Sequence, residues 1–416
     1  MNVQPSVTTI PLMSERRVSL LGALMVAIGP VTMALFTPAM PEIVRAFGTT
    51  EAAVKMTLSL YFAGFALAQL VCGPLSDGFG RKPVTFVFLG IYLVASLAAL
   101  VAPTIEVLIA ARFLQGVGAA VGIAISRAIV RDLFTSERSA RIMNLIGIIL
   151  GIGPALAPTI GGLTMELAGW HAIFVVMFVA AVVIILIVHF AMVETVERDL
   201  SRIRPRALVD SYATLLGSRY FVLCSLIMTG TTGALYTQAT VLPFILMERV
   251  GLTPAQFGVG MLMQSGMFFA GALVVRQLLG RFGAFRLVLP GLVFIAIGSL
   301  GLAIGLRVTA PTFLTVMGPV AFFAFGIAFV MPAMLTASLA PYPHIAGAAS
   351  SMGGFFQMGG GLVGGSISAM IGDPVFAMAT IIPSMGFMAI VCWLVWRTLP
   401  QPEIPLAHRL GDGPAT

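Results

Sequence analysis

The residues of this chain that could do chemistry are few, and the most conspicuous are cationic. Arg112 and Arg127 stand inside apolar runs, where an isolated charge costs at least about 2.5 kcal/mol on insertion and is functional by default. Arg127 precedes Arg131 by one helical turn and is expected to snorkel to the membrane surface; Arg112 is deeper and is the stronger candidate for function. A second group is the polar insert at residues 73–83, with Gly73, Asp77, Gly80, Arg81 and Lys82. Its glycines permit close helix approach or positive backbone angles, Asp77 can meet a helix N-terminus, and the basic pair holds the turn on the cytoplasmic side. Uncharged polar residues within apolar runs complete the set: Tyr61, Gln69, Gln115, Asn144, Tyr236, Gln238, Gln264 and Gln357. A solute pocket needs a few such groups among apolar walls, although each can equally bond a neighbouring helix.

Enzymatic chemistry needs a placed acid, base or nucleophile, and no His, Asp or Cys residues cluster in the sequence. Cys72, Cys224 and Cys392 are far apart and lack metal-ligand spacing. No metal or cofactor is expected, and a membrane-embedded transferase is a distant alternative. Carboxylates are missing from the middle of every apolar run: Glu42 falls at an outer end, and Asp77 and Asp132 at cytoplasmic ends. A cavity holding Arg112 without an acid would disfavour multiply charged cations, whose desolvation nothing offsets, and would suit neutral polar or anionic solutes.

The elements that must position these residues are membrane helices. Only 9% of the 416 residues are charged, 59% are hydrophobic, and the mean hydropathy is +1.04, far from a soluble composition. Twelve apolar spans are predicted, each close to the roughly 20 residues that cross a bilayer: 18–40, 52–75, 84–102, 105–129, 141–163, 170–193, 220–247, 254–279, 285–306, 310–338, 346–371 and 374–397. Long continuous runs exclude a membrane β-barrel. The net charge of +7 is spread over short loops, so it reads as positive-inside topology with both termini cytoplasmic, and no nucleic-acid partner is expected.

The longest polar connection divides the chain into a tail 1–17, a six-helix bundle 18–193, a linker 194–218, a second bundle 219–397 and a tail 398–416. A faint repeat supports the division, since Asp77-Gly78-Phe79-Gly80 parallels Gly280-Arg281-Phe282-Gly283. Parallel six-helix repeats are an architecture of secondary transporters, with the solute site between the halves.

These residues resemble the major facilitator superfamily (MFS), and within it the twelve-helix drug:proton antiporters of the bicyclomycin and chloramphenicol resistance (Bcr/CflA) type. Residues 73–83 match the loop signature G-x-L-x-D-x-x-G-R-K, and residues 111–120, ARFLQGVGAA, resemble the fourth-helix motif R-x-x-Q-G-x-G-A-A. Gly151, Gly153, Pro154, Pro158, Gly161 and Gly162 resemble the proline- and glycine-rich antiporter motif of the fifth helix, and residues 126–134, SRAIVRDLF, also look like this branch. The resemblance implies an all-α fold of two pseudo-symmetric six-helix bundles in a bacterial inner membrane, monomeric, exporting small solutes by alternating access with a proton gradient as drive. It places the counterpart of Arg112 in the central cavity and in proton coupling, makes the fifth helix a seal, and sets the eleventh near the Asp77 turn as a cytoplasmic gate. Related antiporters often carry a first-helix acid shortly before a proline; here residues 32–37 before Pro38 read TMALFT. That gap leaves room for uncoupled or exchange export of an anionic or sugar-like metabolite.

Overall fold

The computed structural model describes residues 12–134 and 136–400; most of the two expected tails lies outside them. Among the described residues the regular structure is helical throughout. The first helix, Glu15–Phe36, passes through a 3-10 turn at Thr37–Ala39 into Met40–Ala46. Then follow Glu51–Phe79, Arg81–Leu100, and a fourth helix made of Ile105–Ala119 and Val121–Leu133. The fifth and sixth run together as Ser136–Ala191, broken at Gly169, whose φ is +76°. The seventh is Arg219–Met228 with Ala234–Ala239, joined by a π-helical turn. The remaining five are Pro254–Phe282, Ala284–Val308, Phe313–Leu339, Ala346–Ile371 and Pro374–Trp396.

Ten segments among the described residues are long and apolar enough to cross a membrane. Two physical reasons separate this number from twelve. The fifth and sixth helices are continuous through Gly169 and enter that number through residues 155–191 alone, and the glycine-rich eleventh is not apolar enough to qualify. That helix instead packs along the second helix of the other half. The chain is a multi-pass membrane protein of all-α architecture.

Two hydrophobic cores divide the molecule. One is built almost wholly from residues between Met13 and Met192, the other from residues between Cys224 and Trp396. The repeat seen faintly in the sequence is regular in the backbone. Positive-φ glycines occur in pairs at 48 and 251, 80 and 283, and 169 and 372, with the same spacing of 203 residues in each pair. Thr50 and Thr253, at that spacing, both cap the helix that follows by accepting a backbone N–H. The two halves are thus pseudo-symmetric copies.

Within the first half the helices approach at backbone distance. A Cβ on Gly116 would collide with the Tyr61 carbonyl, one on Gly64 with the Phe113 carbonyl, and one on Gly122 with the Met25 carbonyl. Lipid supplies no hydrophobic drive for helix association, so such small-residue contacts carry the packing. Gly116→Ala is therefore expected to destabilise the detergent-solubilised protein by about 1–3 kcal/mol. Gly90→Ala, which has open space around it, should leave the melting temperature unchanged or slightly raised; thermal unfolding of the two variants side by side checks this.

Candidate functional site

A cavity of about 380 Å³ lies between the halves, walled by the first, second, fourth and fifth helices on one side and the seventh, eighth, tenth and eleventh on the other. Its wall is mostly apolar, with methionines 33, 228, 261, 331 and 358 among it; their flexible thioethers adapt to varied shapes. Of the residues expected there, Tyr236, Gln238, Gln264, Gln357 and Gln69 do line it. The side chain of Asn144 lies outside the described ones.

Arg112, Gln115 and Tyr61 are elsewhere. All three are buried inside the first half and do not reach the cavity wall. The Arg112 guanidinium is sandwiched between the rings of Phe36 and Tyr61, at 4.3 and 4.5 Å from their centroids. It donates to Gln115 Oε1 at 2.7 Å, and Gln115 Nε2 donates on to Ser96 Oγ at 2.8 Å. The Tyr61 hydroxyl donates to the Gly29 carbonyl, and Thr32, in the stretch where relatives often carry an acid, bonds Tyr92 at 2.5 Å. With no carboxylate in reach among the described residues, as the sequence foretold, two aromatic faces and one amide oxygen hold the guanidinium, each face contributing about 0.5–2 kcal/mol. Nε and Nη2 of Arg112 keep no recorded partner. The arrangement ties the fourth helix to the first, second and third, and leaves a cation one residue layer behind the cavity.

The sequence reading placed Arg127 at the membrane surface; in the structure its side chain is exposed and also lines the cavity, donating through Nη1 to Ser350 Oγ of the eleventh helix at 2.5 Å. The fourth helix keeps helical backbone angles through Ala120, and Ile123 and Arg127, one turn apart, both face the cavity. Periodicity was the available signal: on a continuous helix Ile123 and Arg127 lie about 20° and about 60° round the axis from Arg112. Ser350 itself was not singled out.

The polar insert is not an open turn. The second helix runs to Phe79 and the third starts at Arg81, so the connection is Gly80 alone, at φ +100°. Asp77 does not cap the third helix; Glu194 does, accepting from the backbone N–H of Arg81 and Lys82 at 2.8 and 3.0 Å. Asp77 pairs with Arg81, which also holds Asp132 at 3.0 Å and Ser76. Lys82 Nζ donates to the His189 carbonyl. Gly73 has open space around it. Among the described residues no bond joins this cluster to the eleventh helix, whose glycine contact with the second helix comes higher up, at Gln69 beside Gly354. The linker covers the turn instead: Asp199 N–H donates to the Gly78 carbonyl, and Tyr212, on a linker helix Pro205–Gly217, donates to the Leu70 carbonyl. Burial pushes the Tyr212 phenol up to about 12.

At the other end the halves are closed by two seams. The fifth helix meets the eighth where a Cβ on Gly162 would strike the Pro254 carbonyl and one on Gly258 the Pro158 carbonyl. Thr159 Oγ1 donates to the Gly258 carbonyl at 3.0 Å, and Glu166 accepts from Ala255 N–H at the eighth helix's N-terminus. Gly161 packs on the Leu35 carbonyl, and Gly153 faces Val31; the packing of Gly151 and Pro154 lies outside the described residues. The second helix meets the eleventh at Ser59 against Gly365 and Phe62 against Gly361. Above this, buried Lys55 pairs with Glu51 at 3.1 Å, donates to the Gly372 carbonyl at 3.2 Å and lies 5.2 Å over the Phe244 ring.

Comparison with known proteins agrees with this architecture. The model of the Major Facilitator Superfamily matches residues 22–365. Multidrug resistance protein D of Escherichia coli (strain K12) is 28% identical over 92% of this chain and 97% of its own length. Multidrug resistance protein MdtL of a Salmonella paratyphi A strain is 30% identical over 84% and 87%, and a Bacillus subtilis (strain 168) protein, the uncharacterized MFS-type transporter YdgK, is 28% identical over 85% and 87%. Among solved structures, a D-xylose-proton symporter superposes with a TM-score of 0.74 at 13% identity, covering 93% of this chain and 98% of that one.

Glu248 flanks the closed end. Burial first, then the charge of Glu51, raise its pKa above the usual carboxylate value, while Arg45, Arg249 and Lys55 oppose the rise; Asp373 pairs with Arg249. A carboxyl whose pKa is raised in the closed form favours that form as the pH falls through the raised pKa, and loses the advantage as the pH rises. Spin labels at Ala46→Cys and Ala310→Cys should therefore show a narrower, shorter distance distribution in acid than at alkaline pH. Glu248→Gln should keep the short distance throughout, and an unchanged wild-type distribution across pH would refute the linkage.

Proposed function

This chain belongs to the Major Facilitator Superfamily, and from that premise we propose that it exports small solutes, drugs among them, across a bacterial inner membrane by alternating access. The observation that carries the reading is a methionine-rich cavity shared by two pseudo-symmetric halves and sealed at one end by the two glycine seams. The resistance names of its relatives support drugs as cargo. The arginine asymmetry of the loops supports placing the Lys55 end outside and the Arg81 end inside. In that orientation the cavity is closed to the outside, and the unlatched Asp77 turn fits an inward-facing state. The division into bundles 18–193 and 219–397 joined by 194–218 follows the two cores.

Energy coupling to an inward proton gradient is part of this proposal. One observation favours a second reading, uncoupled or exchange export of an anionic or sugar-like metabolite: among the described residues no carboxylate lines the cavity. The unpaired nitrogens of Arg112 offer a coupling role through helix positions behind the wall. Proteoliposomes carrying candidate solutes, with and without an imposed pH gradient, separate the two readings. Gradient-driven accumulation is expected for wild type. Arg112→Met, which fills the aromatic slot without charge, should still bind solute but lose accumulation by about tenfold or more. Equilibration that ignores the gradient in wild type would overturn coupling and leave the facilitator.

A further inference from the structure

The cavity is electrostatically lopsided. Arg127 is its one charged lining residue among those described, and no Asp or Glu shares the wall. The nearest carboxylate along its own helix, Asp132, is committed to Arg81 and Thr195. A guanidinium offers five N–H donors, and Arg127 has one recorded bond, to Ser350. Around the same space, buried polar atoms stand without a partner: Gln69 Oε1, Thr232 Oγ1, Gln264 Oε1 and both amide atoms of Gln238. Gln69, Thr232 and Gln238 are each more than nine-tenths buried. Buried polar groups are ordinarily paired; these five atoms sit in the wall with almost no accessible surface, so side-chain rotation into the cavity would bring them to a ligand, whereas the exposed Arg127 guanidinium meets one directly.

The geometry points to an amphipathic organic anion as the preferred cargo: an apolar body among the methionines, one carboxylate- or sulfonate-like group on Arg127, and a neutral polar group among Gln69, Gln238 and Gln264. This rests on the transport reading and deepens it. A planar guanidinium takes such an anion bidentately, with charge-assisted hydrogen bonds stronger than its bond to a neutral hydroxyl. The anion would therefore displace Ser350. Since Arg127 belongs to the first half and Ser350 to the second, loading the site would exchange a direct bond between the halves for one bridged by cargo.

The test uses naphthalene-2-sulfonate, naphthalene-2-sulfonamide and a naphthylmethyl trimethylammonium, which share a body and differ in charge. Binding to the purified full-length protein is measured by calorimetry, and efflux in proteoliposomes. The sulfonate should bind at least about tenfold tighter than the sulfonamide, with the cation weakest. Arg127→Gln should abolish that preference, so that sulfonate and sulfonamide bind about equally, Arg127→Lys should retain part of it, and Ser350→Ala should retain or increase it. Equal affinities in wild type, or a preference that survives Arg127→Gln, would overturn the anion site while efflux of the sulfonamide keeps the transport reading intact. If folded protein moves none of the three, the transport reading falls and the inference with it.

Discussion

The constraint on which the structure depends is the cost of an unpaired charge in a medium that cannot solvate it. It sorts the cations of this chain by the partners available to them. Arg81 has two carboxylates and a hydroxyl, and fixes the ends of the second, third and fourth helices together. Lys55 has Glu51 and a backbone carbonyl from the other half, and closes one end. Arg112 has only aromatic faces and an amide, enough to hold it in place but not to neutralise it. Arg127 has a single hydroxyl and an open cavity. The gradient from fully paired to nearly bare runs from scaffold to site.

Packing obeys a complementary rule. Helices in lipid gain nothing from hiding apolar surface, so they associate where side chains are small enough for backbones to meet. The two seams between the halves follow the internal repeat. Gly161 and Gly162 of the fifth helix correspond, at the constant spacing of 203, to Gly364 and Gly365 of the eleventh. In each pair the first glycine packs on a helix of its own half, Leu35 or Thr237, and the second on a helix of the other, Pro254 or Ser59. A pair of equivalent seams about one pseudo-axis is what a rocking motion requires, because each can open without unpacking either core.

Much of this was legible in the residues. Long apolar runs and the arginine-rich linker gave the helices, and the parallel of residues 77–80 with 280–283 carried the spacing that the backbone glycines repeat. The glutamines of the cavity were legible as polar groups in apolar runs. What escaped depends on relations that periodicity does not encode. Arg127 meets Ser350 because the eleventh helix packs beside the fourth, a contact between residues 223 apart in the chain. Glu194 replaces Asp77 as the cap because a segment more than a hundred residues away folds back over the turn. The linker helix Pro205–Gly217 is amphipathic and short, too polar for a membrane span, and its role as a cover rests on Tyr212 and buried Leu215 reaching across to the second and eleventh helices.

The two ends of the molecule are held by different sets of contacts, which bears on the alternating access proposed above. The closed end combines a buried ion pair, a cross-half lysine bond, one seam at backbone contact and one of side chains against glycines; opening it would expose Lys55 and part both seams. Toward the Arg81 end Arg127 with Ser350 links the halves and the linker's Tyr212 bonds Leu70, while the Asp77 cluster is satisfied within its own half. The Arg127 bond to a neutral hydroxyl is weaker than the same guanidinium's bond to an anion, so an anionic ligand can replace it. Under the alternating access proposed above, cargo acts first on that link at the cavity wall, because Arg81 and Lys55 already have their partners and Arg112 is buried away from the cavity.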